Sequence, residues 1–347
     1  MARKKRNCSS EIGGQAVLEG VMMKNKDDYA VAVRKPNGEI VIDVDYYKGV
    51  LGGSVIKKIP FFRGIFNFID SMILGTRIIN YSASFYVDEE MEPTKFDKAL
   101  EKIFKGKAES VLMGITTVIA VALAVGIFIL LPFYVSNWFK GFINNASMVL
   151  ILEGVLRISI FLLYVLIISL LKDIRRLYAY HGAEHKCINC IEKGRPLTTH
   201  DVMRSSRLHR RCGTSFMFFV IFVSIIIFFF IQADNIWLKA GYRIALIPLI
   251  AGISYEIIRW AGRSNNILVT ILSAPGMLIQ RMTTKEPDEE MVEVAIRAIE
   301  AIFDWKGYLR ETFGYEVDES WMAIGEEDAS KSAEPLSDEE NFVQSAE

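Results

Sequence analysis

All four histidines and three of the four cysteines of this 347-residue chain lie between His181 and Cys212. Within that stretch, Tyr180-His181-Gly182-Ala183-Glu184-His185 carries the spacing H-x-x-E-H. Residues four apart share one face of a helix, so the two imidazoles can hold a single metal ion. Glu184, next to the second histidine, can then act as general base toward a water that the ion activates, which is the inverted zincin arrangement. This chemistry needs neutral imidazoles, an open coordination position and a carboxylate able to take a proton. The motif leaves the third protein ligand undefined. Cys187, Cys190, His200, His209 and Cys212 are close in sequence, and Glu256 is a more distant carboxylate. Glu256 falls near the cytoplasmic end of an apolar segment, and an ionisable group at membrane depth is a functional suspect by default.

Two other readings compete with the catalytic one. Cys187-Ile188-Asn189-Cys190 has C-x-x-C spacing, and His209-Arg210-Arg211-Cys212 adds two more ligand types. Together they would make a closed structural zinc site with no open position. Alternatively, histidines in a basic loop simply form hydrogen bonds, with no metal. The run Arg204 to Cys212 holds four arginines. Such a run beside a span ordinarily sets topology or meets lipid headgroups. In the functional version, Arg207, Arg210 and Arg211 hold an anionic substrate or lipid phosphate beside the metal. There is no GxSxG elbow, Cys8 lies in a basic amino-terminal arm, and no spacing selects a dyad of Cys212 with His209. Gly13, Gly14, Gly20, Gly49, Gly52 and Gly53 match no phosphate-binding fingerprint and read as tight turns and close backbone approaches.

The elements that must position these groups are largely membranous. Hydrophobic residues make up 51% of the chain, charged residues only 23%, and mean hydropathy is +0.26. Those values point to an α-helical integral membrane protein with soluble parts. The net charge of −1 excludes a strongly basic nucleic-acid coat, and no DNA partner is expected. Four spans are expected, at 111–131, 148–171, 214–232 and 238–258. Glu153 and Arg157 share a face of the second and should pair inside the bundle. Lys239 and Arg243 should snorkel at one end of the fourth. The connection 172–213 carries ten Lys/Arg, against about one in each opposite loop, which places it and both termini in the cytoplasm. Disulfides are not expected there. Nor is a secretion signal, because 110 residues precede the first span and no apolar run follows MARKKRN.

Residues 1–54 read as a β-rich cytoplasmic region. The β-branched runs 28–34 and 39–45 flank Lys35-Pro36-Asn37-Gly38, a hairpin signal. Residues 55–110 read as an amphipathic helix and linker. Phe61, Ile65, Phe68, Met72 and Ile79 recur at helical spacing, with Arg63, Asn67, Asp70 and Arg77 opposite. That helix lies at the membrane interface or packs on the β-region. The segment 259–284, interrupted by Pro275-Gly276, reads as interfacial or re-entrant. Residues 285–347 carry 19 acidic and five basic side chains. Val292, Ile296, Ile299 and Phe303 form a helical stripe there, and the tail beyond about 320 reads as disordered. The acidic stretch could also dock on the basic 172–213 loop, which has ten positive and four negative side chains.

Three separated motifs, Gly13 to Met23, Tyr180 to Lys186 and Arg211 to Phe216, resemble the YqhQ-like family of uncharacterised bacterial membrane proteins. The resemblance covers about residues 10–303. It implies a bacterial plasma-membrane protein, and the family is often labelled as predicted metal-dependent enzymes. The family pattern matches at His181, Glu184, His185, Arg211 and Cys212. It does not hold position 187 as cysteine, which counts against the closed zinc site. The leading expectation is a membrane-embedded zinc hydrolase at the cytoplasmic face. His181 and His185 hold the metal, Glu184 is the base, and Glu256, His209 or Cys212 completes the site. Its substrate would be a membrane-protein peptide bond, or an ester or amide of an anionic or other lipid. The alternative is a non-enzymatic membrane scaffold or biogenesis factor that binds a protein partner or the ribosome, with a structural metal or none.

Overall fold

The computed structural model of the chain describes residues 9–86, 108–231, 235–263 and 266–314. It is mostly helical, with one small sheet near its amino terminus. Strands β1 (Ile12–Val17), β2 (Gly20–Asn25), β3 (Asp28–Arg34) and β4 (Ile40–Tyr46) pair antiparallel in chain order. The Lys35-Pro36-Asn37-Gly38 signal does join β3 to β4. Proline presets φ early in the turn, and Gly38 takes φ 88°, which its missing Cβ allows. Its N–H donates to the Lys35 carbonyl at 2.9 Å.

The helices that follow are α1 (Phe62–Ser84), α2 (Ala108–Val125), α3 (Leu131–Trp138), α4 (Ala146–Ile168), α5 (Lys172–Glu192) and α6 (Thr199–Met203). Then come α7 (Gly213–Phe229), α8 (Ile236–Ala245), α9 (Ile247–Arg263), α10 (Ile267–Thr283), α11 (Glu289–Glu300) and α12 (Trp305–Phe313). A π-helical turn, Gly126–Leu130, links α2 to α3.

The period-two pattern of the strands sends side chains to two covered faces. Val21, Met23 and Ala32 meet α5 and α11, while Met22, Tyr29, Val31 and Val33 meet Leu74 and Ile78 of α1. The polar face of α1 is therefore turned to protein at Arg63, Asn67 and Asp70, while Arg77 is exposed and pairs with Asp45 at 3.3 Å. Arg63 pairs with Glu256 of α9, Asn67 donates to the Tyr255 hydroxyl at 2.6 Å, and Asp70 accepts from the Val50 N–H at 2.7 Å. Phe68 and Ile79 of the apolar stripe are exposed instead.

Among the described residues two helices are long and apolar enough to cross a membrane, Val111–Gly141 and Ala146–Ile168. A third would be the pair Ile236–Ala245 and Ile247–Gly262, which is bent by 42°. Pro248 explains the break, since it lacks an N–H and its ring clashes with the carbonyl four residues back. The expected span 214–232 is a shorter apolar helix, Gly213–Phe229, about 26 Å long at 1.5 Å per residue. Segment 267–279 belongs to α10, a continuous helix with Pro275 inside it.

Arg243 does not snorkel. It is 1% exposed, and its guanidinium meets Glu153 at 2.7 Å, while Arg157 meets the same carboxylate at 2.7 Å. The expected Glu153–Arg157 pair is thus a buried triad. Arg157 also donates to the Phe128 carbonyl at 3.1 Å, in the π-helical turn, and to the Ser224 hydroxyl at 3.0 Å. Arg243 stacks 4.1 Å from the Phe133 ring centroid.

The carboxy-terminal helix is not peripheral. In α11, Met291, Val292, Val294, Ala295, Ile296, Ala298 and Ile299 are all buried, between α5 and the sheet. Asp288 caps it by accepting from the Met291 N–H at 2.8 Å. Just before it, Glu286 pairs with Lys186 at 2.8 Å and Arg207 at 3.1 Å. The beginning of the acidic stretch therefore docks on the basic loop. The acidic tail beyond 320, the linker around 87–107 and Cys8 lie outside the described residues.

Candidate metal centre

Helix α5 presents His181, Glu184 and His185 on one face, as three- and four-residue spacing requires. The helix stops at Gly194, which takes φ 73°, and Pro196 follows. Gly182 lies on the same stretch, where the Lys285 carbonyl sits 2.0 Å from the place a Cβ would occupy. Only glycine lets the segment after α10 cross α5 this closely. That crossing brings the end of α10 over the histidines.

Each imidazole is oriented by a backbone carbonyl. His181 Nδ1 donates to the Thr283 carbonyl at 2.9 Å, one of the carbonyls that a helix end leaves without an intrahelical partner. His185 Nδ1 donates to the Arg207 carbonyl at 2.7 Å. With Nδ1 protonated, each neutral ring keeps a lone pair on Nε2, which is how outer contacts fix metal-binding histidines. The third member of the group is Cys212. Its sulfur lies 3.2 Å from His181 Nε2, and ligand atoms of His181, His185 and Cys212 all fall within 4.8 Å of one another. Among the described residues these three are the group of His, Cys, Asp and Glu able to share a metal ion.

Cys212 is also the N-cap of α7 and accepts from the Thr214 N–H at 3.4 Å. Burial alone would push its thiol up, but the His181 and His185 imidazoles outweigh that and hold it well below its ordinary value. The α7 N-terminus favours the thiolate further. Burial alone would push His181 down, but the Cys212 sulfur raises it to about 9. Each of the two groups thus favours the charged form of the other.

Glu184 is 5% exposed, and its Oε2 is buried without a hydrogen-bond partner among the described residues. Burial raises its pKa, opposed by the two imidazoles. Its carboxyl packs against the Gly14 backbone, where a Cβ would come within 2.8 Å. Gly14 is therefore a close backbone approach.

The other sequence candidates lie elsewhere. Glu256 is bound by Arg63 and accepts from the Phe61 N–H at 3.1 Å, and it is not in the group of three. His209 stands 5.7 Å, ring to ring, from His185 and faces Glu192 at 3.4 Å. Arg211 pairs with Glu192 and donates to the Ser9 hydroxyl at 2.5 Å. Arg207 bonds Thr284 and Glu286. Arg210 reaches the Thr270 hydroxyl at 3.3 Å. His200 is on α6, 4.0 Å from Asp201. The cysteines of the C-x-x-C spacing do not meet His209 and Cys212. Cys187 is buried in the core between α5, α11 and the sheet, and Cys190 contacts the Pro196 carbonyl at 3.2 Å. Burial pushes Cys187 up, and Cys190 to about 11.

Contributors without a sequence signal include Glu192, the Thr283 and Arg207 carbonyls, and Gln280, whose amide holds His209. Carbonyls are anonymous in sequence, and a lone Gln or Glu has no spacing to mark it.

Residues 59–305 match the family model described as protein of unknown function (DUF1385). The chain belongs to the DUF1385 family. The matched range contains α1 through α11 and every member of the metal group. A curated relative, the uncharacterized protein YqhQ of Bacillus subtilis (strain 168), is 34% identical over 291 residues. That match covers 82% of this chain and 90% of the relative. No solved structure matches this DUF1385 chain.

Proposed function

We propose that this DUF1385 protein is a zinc-dependent hydrolase of the bacterial plasma membrane, working at its cytoplasmic face. The observation that carries the reading is the convergence of ligand atoms of His181, His185 and Cys212 within 4.8 Å of one another, with both Nδ1 atoms bonded to carbonyls. Two imidazoles and one thiolate make a three-ligand set that suits Zn²⁺ and leaves one position open, as catalytic zinc sites do. Zinc held there would supply Lewis-acid activation of a water and of the bond under attack. Glu184, whose Oε2 is buried without a hydrogen-bond partner among the described residues and whose pKa burial raises, would accept a proton from that water and return it to the leaving group. Cys212, rather than Glu256 or His209, is the third ligand in this reading.

Four crossings are part of the proposal, with the site and both termini inside. Supporting this, Trp138 and Phe142 in one connection and Phe230 and Trp237 in another are each at least 74% exposed. Tyr134 and Trp237 bring the two connections together at 6.3 Å. Exposed aromatics of this kind mark a membrane–water interface. A reporter fused at Gly194 should behave as cytoplasmic, and a signal from the opposite side would overturn the orientation. With the site beside the membrane helices, the proposed substrate is a membrane-protein peptide bond or a lipid ester or amide.

The deciding experiment is metal analysis of the full-length protein purified in detergent. About one zinc per chain is expected, lost in His181→Ala and Cys212→Ala and retained in Glu256→Gln. Protein that carries no zinc and takes up none on addition would sink the reading. One contact favours a second mechanism at the same place. Cys212 Sγ at a helix N-terminus, 3.2 Å from His181 Nε2, has the layout of a thiolate nucleophile with its acid. Turnover by metal-free protein, abolished by alkylating Cys212, would establish that mechanism instead.

A further inference from the structure

We propose that Gln280 is a positioning residue of the metal centre, whose carboxamide clamps the segment that delivers both the Arg207 carbonyl and the Cys212 sulfur. The inference rests on the zinc reading and concerns how its ligands are held. Between the end of α6 at Met203 and the start of α7 at Gly213 the chain has no regular structure. Its buried N–H and C=O groups must find other partners. Two side-chain amides provide them from opposite sides.

From α5, Asn189 Nδ2 donates to the Ser206 carbonyl at 2.6 Å and the Leu208 carbonyl at 3.0 Å. From α10, Gln280 Oε1 accepts the His209 N–H at 2.9 Å, and Nε2 donates to the His209 carbonyl at 2.7 Å and the Ser215 hydroxyl at 2.8 Å. Gln280 is 0% exposed. Its two bonds to one residue imitate the pairing that a neighbouring strand would give, and fix His209 in position and in rotation. Arg207 and Cys212 lie two residues before and three after that fixed point. Three residues beyond Gln280, the Thr283 carbonyl orients His181. One turn of α10 therefore sets both the His181 ring and the segment that carries the sulfur.

Loss of the amide would leave the His209 N–H and C=O buried without partners, so the segment would shift to satisfy them. The sulfur and the Arg207 carbonyl would move with it. Outer contacts of this sort typically change metal affinity about 10–100-fold.

The test uses full-length, metal-free protein in detergent, titrated with Co²⁺ and followed by the sulfur-to-cobalt charge-transfer and d–d bands. A second readout is the rate at which iodoacetamide alkylates Cys212 without metal, measured by peptide mass spectrometry. Gln280→Met keeps size and loses every bond. Gln280→Glu keeps the acceptor for the His209 N–H but opposes its carbonyl. Both should bind Co²⁺ at least about tenfold more weakly, with altered d–d bands, and alkylate at least about tenfold faster. Ile279→Ala, the neighbouring residue, packed with Phe161 and Ile221, should lower stability yet leave both readouts within about twofold. Ser215→Ala removes one of the three bonds at little change in volume and should give a smaller change in the same direction.

Unchanged affinity, bands and alkylation in Gln280→Met and Gln280→Glu would overturn the proposal. If those variants do not accumulate, unchanged readouts in Ser215→Ala would overturn it. Equal effects in Ile279→Ala would also overturn it, because they would trace to general loosening. If the wild type shows no cobalt band, the zinc reading fails, and alkylation of Cys212 still decides whether Gln280 holds the segment.

Discussion

Glu184→Gln is expected to leave zinc bound and to reduce turnover about 10²–10⁴-fold. The change keeps side-chain volume and helix propensity, so α5 should fold as before. It removes the group able to take a proton. Glu184 donates to no ligand and shares no hydrogen bond with His181, His185 or Cys212 among the described residues. The metal group should therefore persist. His181→Ala should do the opposite and lose the metal, because it removes a ligand. Until a substrate is assigned, the readout is rescue of a deletion strain's phenotype, with zinc content and protein level measured alongside. Full rescue by a stably expressed Glu184→Gln protein would refute the hydrolase reading and favour the scaffold alternative, which needs no base. Lost rescue with normal zinc and normal expression supports the hydrolase.

Glu153→Ala is expected to cost about 3–5 kcal/mol, because it leaves Arg157 and Arg243 buried without their shared carboxylate. The two guanidiniums are 2% and 1% exposed, and both sit 2.7 Å from Glu153. So little of either side chain meets solvent that hydration offsets the lost charge poorly. Their remaining contacts, with the Phe128 carbonyl, the Ser224 hydroxyl and the rings of Phe133 and Phe228, are neutral. Unfolding temperature in detergent should fall on the order of 10 °C for a chain of this size. Replacing all three residues with apolar side chains should cost far less, since the desolvation penalty of the triad disappears with its charges. A Glu153→Ala protein that melts within about 2 °C of wild type would show that the triad is open to water or to another anion.

The features legible in the residues alone are local in character. His181, Glu184 and His185 fall on one face because they are three and four residues apart in a helix, whatever surrounds it. The β3–β4 hairpin follows from β-branched runs about a Pro-Asn-Gly turn, and the long apolar helices from stretches that have nowhere else to be stable. The third member of the metal group could not be read this way. The sequence favours Glu256, on a span returning to the same membrane face, ahead of His209 and Cys212, since spacing through an irregular segment carries no direction. Cys212 lies beside the two imidazoles as the N-cap of α7, at the end of a segment whose His209 is bonded to Gln280, 68 residues beyond Cys212. Packing also decided the roles of charges. Arg243 reads as a snorkelling end residue and is instead the second arginine on Glu153, while Glu256 reads as a ligand and is instead taken by Arg63. An ionised group, above all a buried one such as Arg243, goes to whichever opposite charge the fold brings nearest, and that partner is fixed only when helices distant in sequence are packed together.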